Sequence, residues 1–342
     1  MERLHQKIVF SQVEKTVVCE MSPQISIKPY RRTFRQPLRT AHGIWSVREG
    51  FIVRIEKNGR FGYGEIAPIA EFGTETVSVA AAFLAKYAQN PEIAVPVELP
   101  CCAFGLSAAL AQAEASCAQV PDSGTVAPIQ YGIAALLPAG ESAITAIGAK
   151  VASGFNVFKW KIGVEPIEVE LELMRQLMSL LPPTGQLRLD ANGGLTDTEL
   201  KTWLSALRHF KAQLEYLEQP MPPGNESIMQ ALALGSGISI ALDESLNGSE
   251  AAHWLENWQG PLVVKPALMG NVGSLVERLK PVADSIVLSS VFETGVGVTN
   301  AVSIADQLLG MNRALGFDTC DAFDDGLDLT PEDVWKQLPH LI

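Results

Sequence analysis

The 342-residue sequence predicts an α/β protein in which a smaller α+β part precedes a parallel (β/α) barrel. Three observations carry this. The first third reads as three strand-like runs followed by two helical ones. From residue 129 onward, eight apolar strand-like runs alternate with helical segments. Ionisable residues recur at the ends of successive runs in that second part. At roughly 100–200 residues per domain, the length suits two domains, or one barrel with an addition.

Residues 1–20 read as an N-terminal extension, because Met21 stands just before the first convincing strand. Strands are expected at 24–33 and 50–56, with a polar loop, RQPLRTAHGIWSVRE, between them. KNGR supplies an Asn-Gly turn into a third strand, FGYGEIAP, paired as a hairpin. Residues 75–88 and 103–118 are alanine-rich with helical periodicity, and QVPDSGTVAP closes the α+β part, 21–127.

Strand-like runs then fall at 129–136, 155–162, 186–191, 214–219, 238–243, 261–266, 285–290 and 314–318. Helical spacing appears at 167–181, 197–210 and 298–309, and Thr196 to Glu199 form a capping box. Eight strands with intervening helices over 128–320 read as a barrel, and 321–342 as a C-terminal segment packing back toward the α+β part. An open doubly wound sheet is the competing architecture. No G-x-G-x-x-G follows the first strand and no Walker A sequence is present, which argues against nucleotide binding.

Hydrophobic residues are 47% and charged residues 19% of the chain, enough apolar material for a core. With 26 Lys+Arg against 38 Asp+Glu, the formal charge of −12 argues against a nucleic-acid partner and against electrostatic attachment to an anionic membrane. It does not exclude a small anionic substrate, since a few buried charges dominate locally. Five cysteines, an odd number without C-x-x-C spacing, fit a reducing compartment. No apolar run approaches the ~18–20 residues of a membrane span, and the N-terminal residues lack a signal-peptide core. A soluble cytoplasmic protein acting on a small molecule is expected; the sequence does not set its oligomeric state.

The chemistry is read from the strand ends. Lys159 and Lys161 lie in FKWKIG, Asp190 ends QLRLD, Glu218 ends LEYLE, Asp243 ends SIALD and Lys265 ends LVVK. From Lys161 the intervals are 29, 28, 25 and 22 residues, each about one βα unit. One acid at a strand end is commonly a helix cap, and one lysine commonly a solvated side chain. Lysine, three acids and lysine on consecutive strands is another matter, because buried charges are costly unless paired or on a metal. Lys159 and Lys161 share a strand face, so each should lower the other's pKa and prepare a general base. Three carboxylates suit Mg2+, with Mn2+ as a substitute, rather than zinc. Arg188 shares the face of Asp190 one layer deeper, to orient it or to pair elsewhere, and Asn192 follows on the same alternation. The set suggests proton abstraction beside a carboxylate, with a cation stabilising the enediolate.

The strings K-x-K, D-x-N, E-Q-P, D-E-S and V-K-P at these intervals resemble the enolase superfamily, muconate lactonizing enzyme subgroup. Through LRLDANGG, ALDESL, VVKPALMG and LSSVFETGVG the chain is most similar to the o-succinylbenzoate synthase family of menaquinone and phylloquinone biosynthesis. The resemblance implies a modified (β/α)7β TIM-type barrel with an N-terminal α+β capping domain. It implies Asp190, Glu218 and Asp243 as Mg2+ ligands. Glu244 adjoins Asp243, and strand alternation places the two on opposite faces. It further implies a carbon–oxygen lyase (hydro-lyase) acting on 2-succinyl-6-hydroxy-2,4-cyclohexadiene-1-carboxylate by syn elimination. Lys161 abstracts the proton and then protonates the departing hydroxyl. Lys265 stabilises charge from the opposite face, and Lys159 contacts the carboxylate and depresses the pKa of Lys161.

Substrate selectivity is expected from loops 38–45 and 67–73, where Arg39, His42 and Trp45 are candidates or ordinary surface residues. Ser289 and Ser290 are candidates for the succinyl group, and Glu293 pairs with Lys265 or supports them. The alternatives within the superfamily are an N-acylamino acid racemase or a dipeptide epimerase, with Lys161 and Lys265 as two bases. Outside it stand a Schiff-base aldolase and a non-catalytic barrel that binds a ligand.

Overall fold

The computed structural model describes residues 22–40, 43–115, 131–247 and 250–339. The expected N-terminal extension 1–20, the QVPDSGTVAP stretch and His42 lie outside them. Among the described residues, no helix is long and apolar enough to cross a membrane.

The first sheet is antiparallel, in the order β1 (Gln24–Thr40), β2 (Gly43–Lys57) and β3 (Arg60–Ile66). The polar loop expected between the first two strands is instead their continuation, pairing Leu38 with Trp45 and Arg39 with Ile44 after a register shift between Thr33 and Leu38. This stretch lacks apolar alternation, but an antiparallel ladder needs only its backbone donors and acceptors. The β2–β3 turn is the predicted one: Asn58 and Gly59 both take positive φ, 53° and 74°, which the two central residues of a type I′ hairpin require.

Helix α1 (Val77–Tyr87) starts on Thr76, whose side chain accepts from Val79 N. Helix α2 (Pro100–Glu114) lies directly on β3. A Cβ at Gly64 would stand 1.8 Å from the Gly105 carbonyl oxygen, and one at Gly62 1.9 Å from that of Ala109. The glycines of FGYG therefore mark where a helix backbone seats on the sheet.

The second part is a ring of parallel strands: β4 (Ala134–Leu137), β5 (Val157–Lys161), β6 (Gln186–Asp190), β7 (Leu214–Glu218), β8 (Ile240–Ala241), β9 (Leu262–Val264) and β10 (Ile286–Leu288). The first five form one sheet and the last two pair with each other. Bridges Leu242–Leu262, Ser289–Gly316 and Ile133–Leu315 close the ring through a last short strand at 315–316. The intervening helices are α3 (Ser142–Ala152), α4 (Ile167–Leu180), α5 (Asp197–Leu207), α6 (Glu226–Ser236), α7 (Ala251–Asn257), α8 (Val272–Leu279) and α9 (Gly295–Ala305). This is the (β/α)7β order. The expected strands at 238–243 and 314–318 are shorter than their apolar runs, because the chain turns to the site before the runs end. The Thr196–Glu199 capping box is present.

Alternation sorts the barrel faces. Phe158 and Trp160 are fully buried beneath the helices, and the lysines between and after them point inward. Tyr216, Ala241, Val263 and Val287 form a separate apolar cluster. A single larger cluster joins sheet residues such as Val53 and Ile66 to barrel residues such as Leu137 and Leu189. Helix α10 (Pro331–Gln337) returns to the first sheet: Val334, Trp335 and Leu338 pack with Tyr30 and Ile52, and Lys28 donates to the carbonyls of Trp335 and Leu338, 2.7 Å each.

Candidate active site

Strand register levels the predicted charges. Lys161 pairs with Asp190 across β5–β6, and Asp190 with Glu218 across β6–β7. Asp243 and Lys265 follow the ends of β8 and β9. Lys159, Lys161, Asp190, Asp243 and Lys265 line one pocket at the C-terminal mouth of the barrel. Trp45, Ile69 and Phe72 cover it from the α+β part. Trp45 and Phe72 rings lie 5.7 Å apart, and Lys265 Nζ stands 5.2 Å from the Phe72 ring centre.

Lys159 Nζ lies 2.9 Å from Asp190 Oδ2 and 2.7 Å from Glu218 Oε1, and Lys265 Nζ bonds Asp243 Oδ1. Burial by itself would lower the Lys159 ammonium; the Asp190, Glu218 and Asp243 carboxylates outweigh it and hold Lys159 well above an ordinary lysine. The expected mutual lowering of the two β5 lysines is therefore not what Lys159 displays, because three acids face it. Lys265 is raised likewise: burial opposes, and Asp243 and Glu244 prevail. Burial pushes Glu218 well up, and repulsion from Asp190 adds to it. Burial also opposes ionisation of Asp190, but the Lys159 charge and hydrogen bond bring it below the usual carboxylate range.

Glu218 is fully buried and its Oε2 has no hydrogen-bond partner. An orphaned carboxylate oxygen within a set of three repelling acids suits a hard divalent cation. Among the described residues, no three acidic, His or Cys side chains are already gathered as a metal cluster. The two ammonium groups lie against the acids instead. The donor chemistry fits a cation, and Asp190, Glu218 and Asp243 could hold one.

The remaining predicted residues divide. Asn192 lines the pocket, takes φ 44°, and donates from Nδ2 to Glu244 Oε1 at 3.2 Å. Asp243 and Glu244 both line the pocket, against the alternation argument. That argument fails because β8 ends at Ala241 and the chain bends into a 3-10 turn, Glu244–Leu246. Burial, and then repulsion from Asp243, push Glu244 up to about 7. Arg188 donates to Glu215 at 2.7 and 3.2 Å, so its guanidinium braces the layer beneath the acids rather than orienting Asp190. Ser289 and Ser290 line the pocket. Glu293 accepts from Ser290 Oγ and from Val291 N, while Lys265 turns to Asp243, so the Glu293–Lys265 pairing is not formed. Trp45 reaches the pocket; Arg39 is placed by its backbone pairing alone.

The 67–73 loop expected to shape selectivity does reach the pocket, through Ile69 and Phe72, while sequence reading missed Phe292, Asp318 and Thr319, which also line it. Asp318 and Thr319 follow the eighth strand, so the strand-end rule that found the lysines also reaches them. Asp318 Oδ2 accepts from Leu136 N at 2.9 Å and from Lys150 Nζ at 2.6 Å.

Two family models match the chain: "Enolase C-terminal domain-like" over residues 143–270, and "MenC, N-terminal domain" over 36–113. The o-succinylbenzoate synthase of Thermosynechococcus vestitus is 35% identical over 280 residues, covering 79% of this chain and 84% of that protein. That of Vibrio cholerae serotype O1 is 35% identical over 292 residues, covering 81% and 83%. Among solved structures, o-succinylbenzoate synthase from Thermosynechococcus elongatus BP-1, complexed with Mg in its active site, superposes with a TM-score of 0.80 at 31% identity, over 92% of this chain and 100% of that one. The L-Ala-D/L-Glu epimerase of Bacillus subtilis shares the fold, with a TM-score of 0.73 at 18% identity over 88% and 91%.

Proposed function

Because this chain belongs to the o-succinylbenzoate synthase family of the enolase superfamily, we propose that its barrel mouth dehydrates 2-succinyl-6-hydroxy-2,4-cyclohexadiene-1-carboxylate to 2-succinylbenzoate. The carrying observation is the levelled set of Lys161, Asp190 and Glu218 on adjacent strands, with Lys161, Asp190, Asp243 and Lys265 lining one covered pocket and Glu218 buried against Lys159.

In this reading Asp190, Glu218 and Asp243 hold Mg2+, for which Mn2+ is a substitute. The bound cation supplies positive charge beside the substrate carboxylate. Lys161 removes the ring proton next to that carboxylate and then returns it to the departing hydroxyl, on the same face. The C–H and C–O bonds break, water leaves, and the ring becomes aromatic. Lys265, on the opposite side of the mouth, opposes the negative charge that develops, and Lys159 contacts the carboxylate. Asn192, Ser289, Ser290, Arg39 and Trp45 orient the substrate, with Arg188 and Glu293 in support. Residues 21–127 act as the capping domain, 128–320 as the catalytic barrel, and 321–342 as a C-terminal segment packing back toward the cap.

The test is loss of diene absorbance on adding the purified chain with Mg2+, and again with excess EDTA. Rapid loss that EDTA abolishes is the expected result. No turnover from folded, Mg2+-binding protein would overturn the dehydration and favour racemisation of N-acylamino acids or dipeptides, for which Lys161 and Lys265 supply two bases in one pocket.

A further inference from the structure

Three buried charged side chains of the first sheet converge on the barrel loop that follows β10. Arg48, in β2, donates from Nε to the Val291 carbonyl at 3.0 Å, from one terminal nitrogen to Pro68 O at 2.7 Å, and from the other to Ala67 O. Arg32, in β1, donates to Glu293 O at 2.7 Å. Glu65, in β3, accepts from Thr294 N at 3.0 Å and Gly297 N at 2.9 Å, capping α9.

Of the three, Arg48 alone bonds to a residue that lines the pocket, Val291, and also to the cap backbone just before the lining residue Ile69. Val291 lines the barrel wall between Ser290 and Phe292, which line it too. Ala67 and Pro68 lead into the cap wall through Ile69 and Phe72. Arg48 is 4% exposed. Burying a guanidinium is costly, and these bonds go to neutral carbonyls rather than to a carboxylate. Such bonds do little to neutralise charge, but each fixes a backbone position. A planar fork with five donors reaches divergent carbonyls that an ammonium on a flexible stem cannot hold together.

We infer that Arg48 is a positioning residue for the substrate: it clasps the cap backbone at 67–68, which leads directly into the wall residues Ile69 and Phe72, to the barrel wall at Val291 and so sets the width of the pocket. The inference rests on the dehydration site proposed above. Arg48 bonds to the walls and not to the acids of the floor, so its loss should weaken substrate binding more than the chemical step or metal binding.

The test uses the full chain as wild type, Arg48→Met and Arg48→Lys, with kcat and KM for the cyclohexadiene carboxylate, calorimetric Mg2+ affinity and thermal midpoint for each. In Arg48→Met, KM should rise about tenfold while kcat stays within about threefold, since misplaced walls cost binding before chemistry. Mg2+ affinity should hold, and Arg48→Lys should recover part of the KM. An unchanged KM in either folded variant overturns the clasp. So does a parallel fall of kcat, Mg2+ affinity and midpoint in both, which marks a purely structural arginine. If neither variant folds, hydrogen exchange of the wild type decides: 2-succinylbenzoate must slow exchange in 67–73 and 289–294 together, and protection of only one overturns the clasp. An inactive wild type instead defeats the dehydration reading, and is told apart from failure of the clasp because it precedes any variant.

Discussion

The floor and the roof of the pocket are built from opposite materials. The floor carries three lysines and three acids: Lys159, Lys161, Asp190 and Glu218 are held in a ladder of backbone bonds between β5, β6 and β7, and Asp243 and Lys265 stand just past the ends of β8 and β9. The roof is apolar: Trp45 near the far end of a hairpin, Ile69 at the start of a 3-10 turn, and Phe72 at its end. Charges that must act on a bond need fixed positions, and a strand ladder supplies them at the lowest flexibility. An apolar cover excludes water, which strengthens every charge beneath it. Under the proposed function, bond breaking would fall to the floor and choice of substrate to the roof.

Removing the base should break this division most severely. Lys161→Ala should lower kcat about a hundred- to ten-thousandfold, the range of general acid–base catalysis. Fold and Mg2+ affinity should persist, as judged by circular dichroism and calorimetry. A variant with near-normal turnover would place the base elsewhere on the floor.

The acids come next. Glu218→Gln keeps the shape of a fully buried side chain but removes its charge. Mg2+ affinity should fall at least about tenfold, the scale on which even supporting partners of a metal matter. Titration calorimetry reads this without turnover. Unchanged affinity would remove Glu218 from the ligand set and leave it as the partner of Lys159 alone.

The same division governs how much of the fold and the site is legible in the amino-acid sequence. The floor is readable because a parallel barrel repeats: each βα unit returns the chain to the same height, so Lys161, Asp190, Glu218, Asp243 and Lys265 declare themselves by interval. Alternation then fails just where strands stop. Asp243 and Glu244 both reach the pocket because the chain leaves the ladder at Ala241, and side-chain direction there follows a 3-10 turn instead of a pleat. The roof has no period. Phe72 and Ile69 reach the pocket through a turn whose direction depends on contacts between the two parts of the chain. The hairpin carrying Trp45 runs through polar residues that resemble a loop. Arg48, in that same stretch, bonds to carbonyls brought together only by tertiary folding.

The smallest effects should come from the roof, where they sharpen the contrast. Phe72 touches both halves of the site: its ring lies 5.7 Å from Trp45 and its face lies 5.2 Å from the Lys265 ammonium. Removing either ring forfeits an aromatic contact worth about 0.5–1.5 kcal/mol, so KM should rise about two- to tenfold with a smaller change in kcat. The two losses should not add. With Trp45→Ala in place, Phe72 has already lost its aromatic partner, so Phe72→Ala should cost less than it does alone. What remains of its effect reports the contact with Lys265 and should fall on kcat rather than KM. A double-mutant cycle in kcat and KM measures this directly. Strict additivity in both would mean that the two rings act as separate covers and that the roof has no hold on the charged floor.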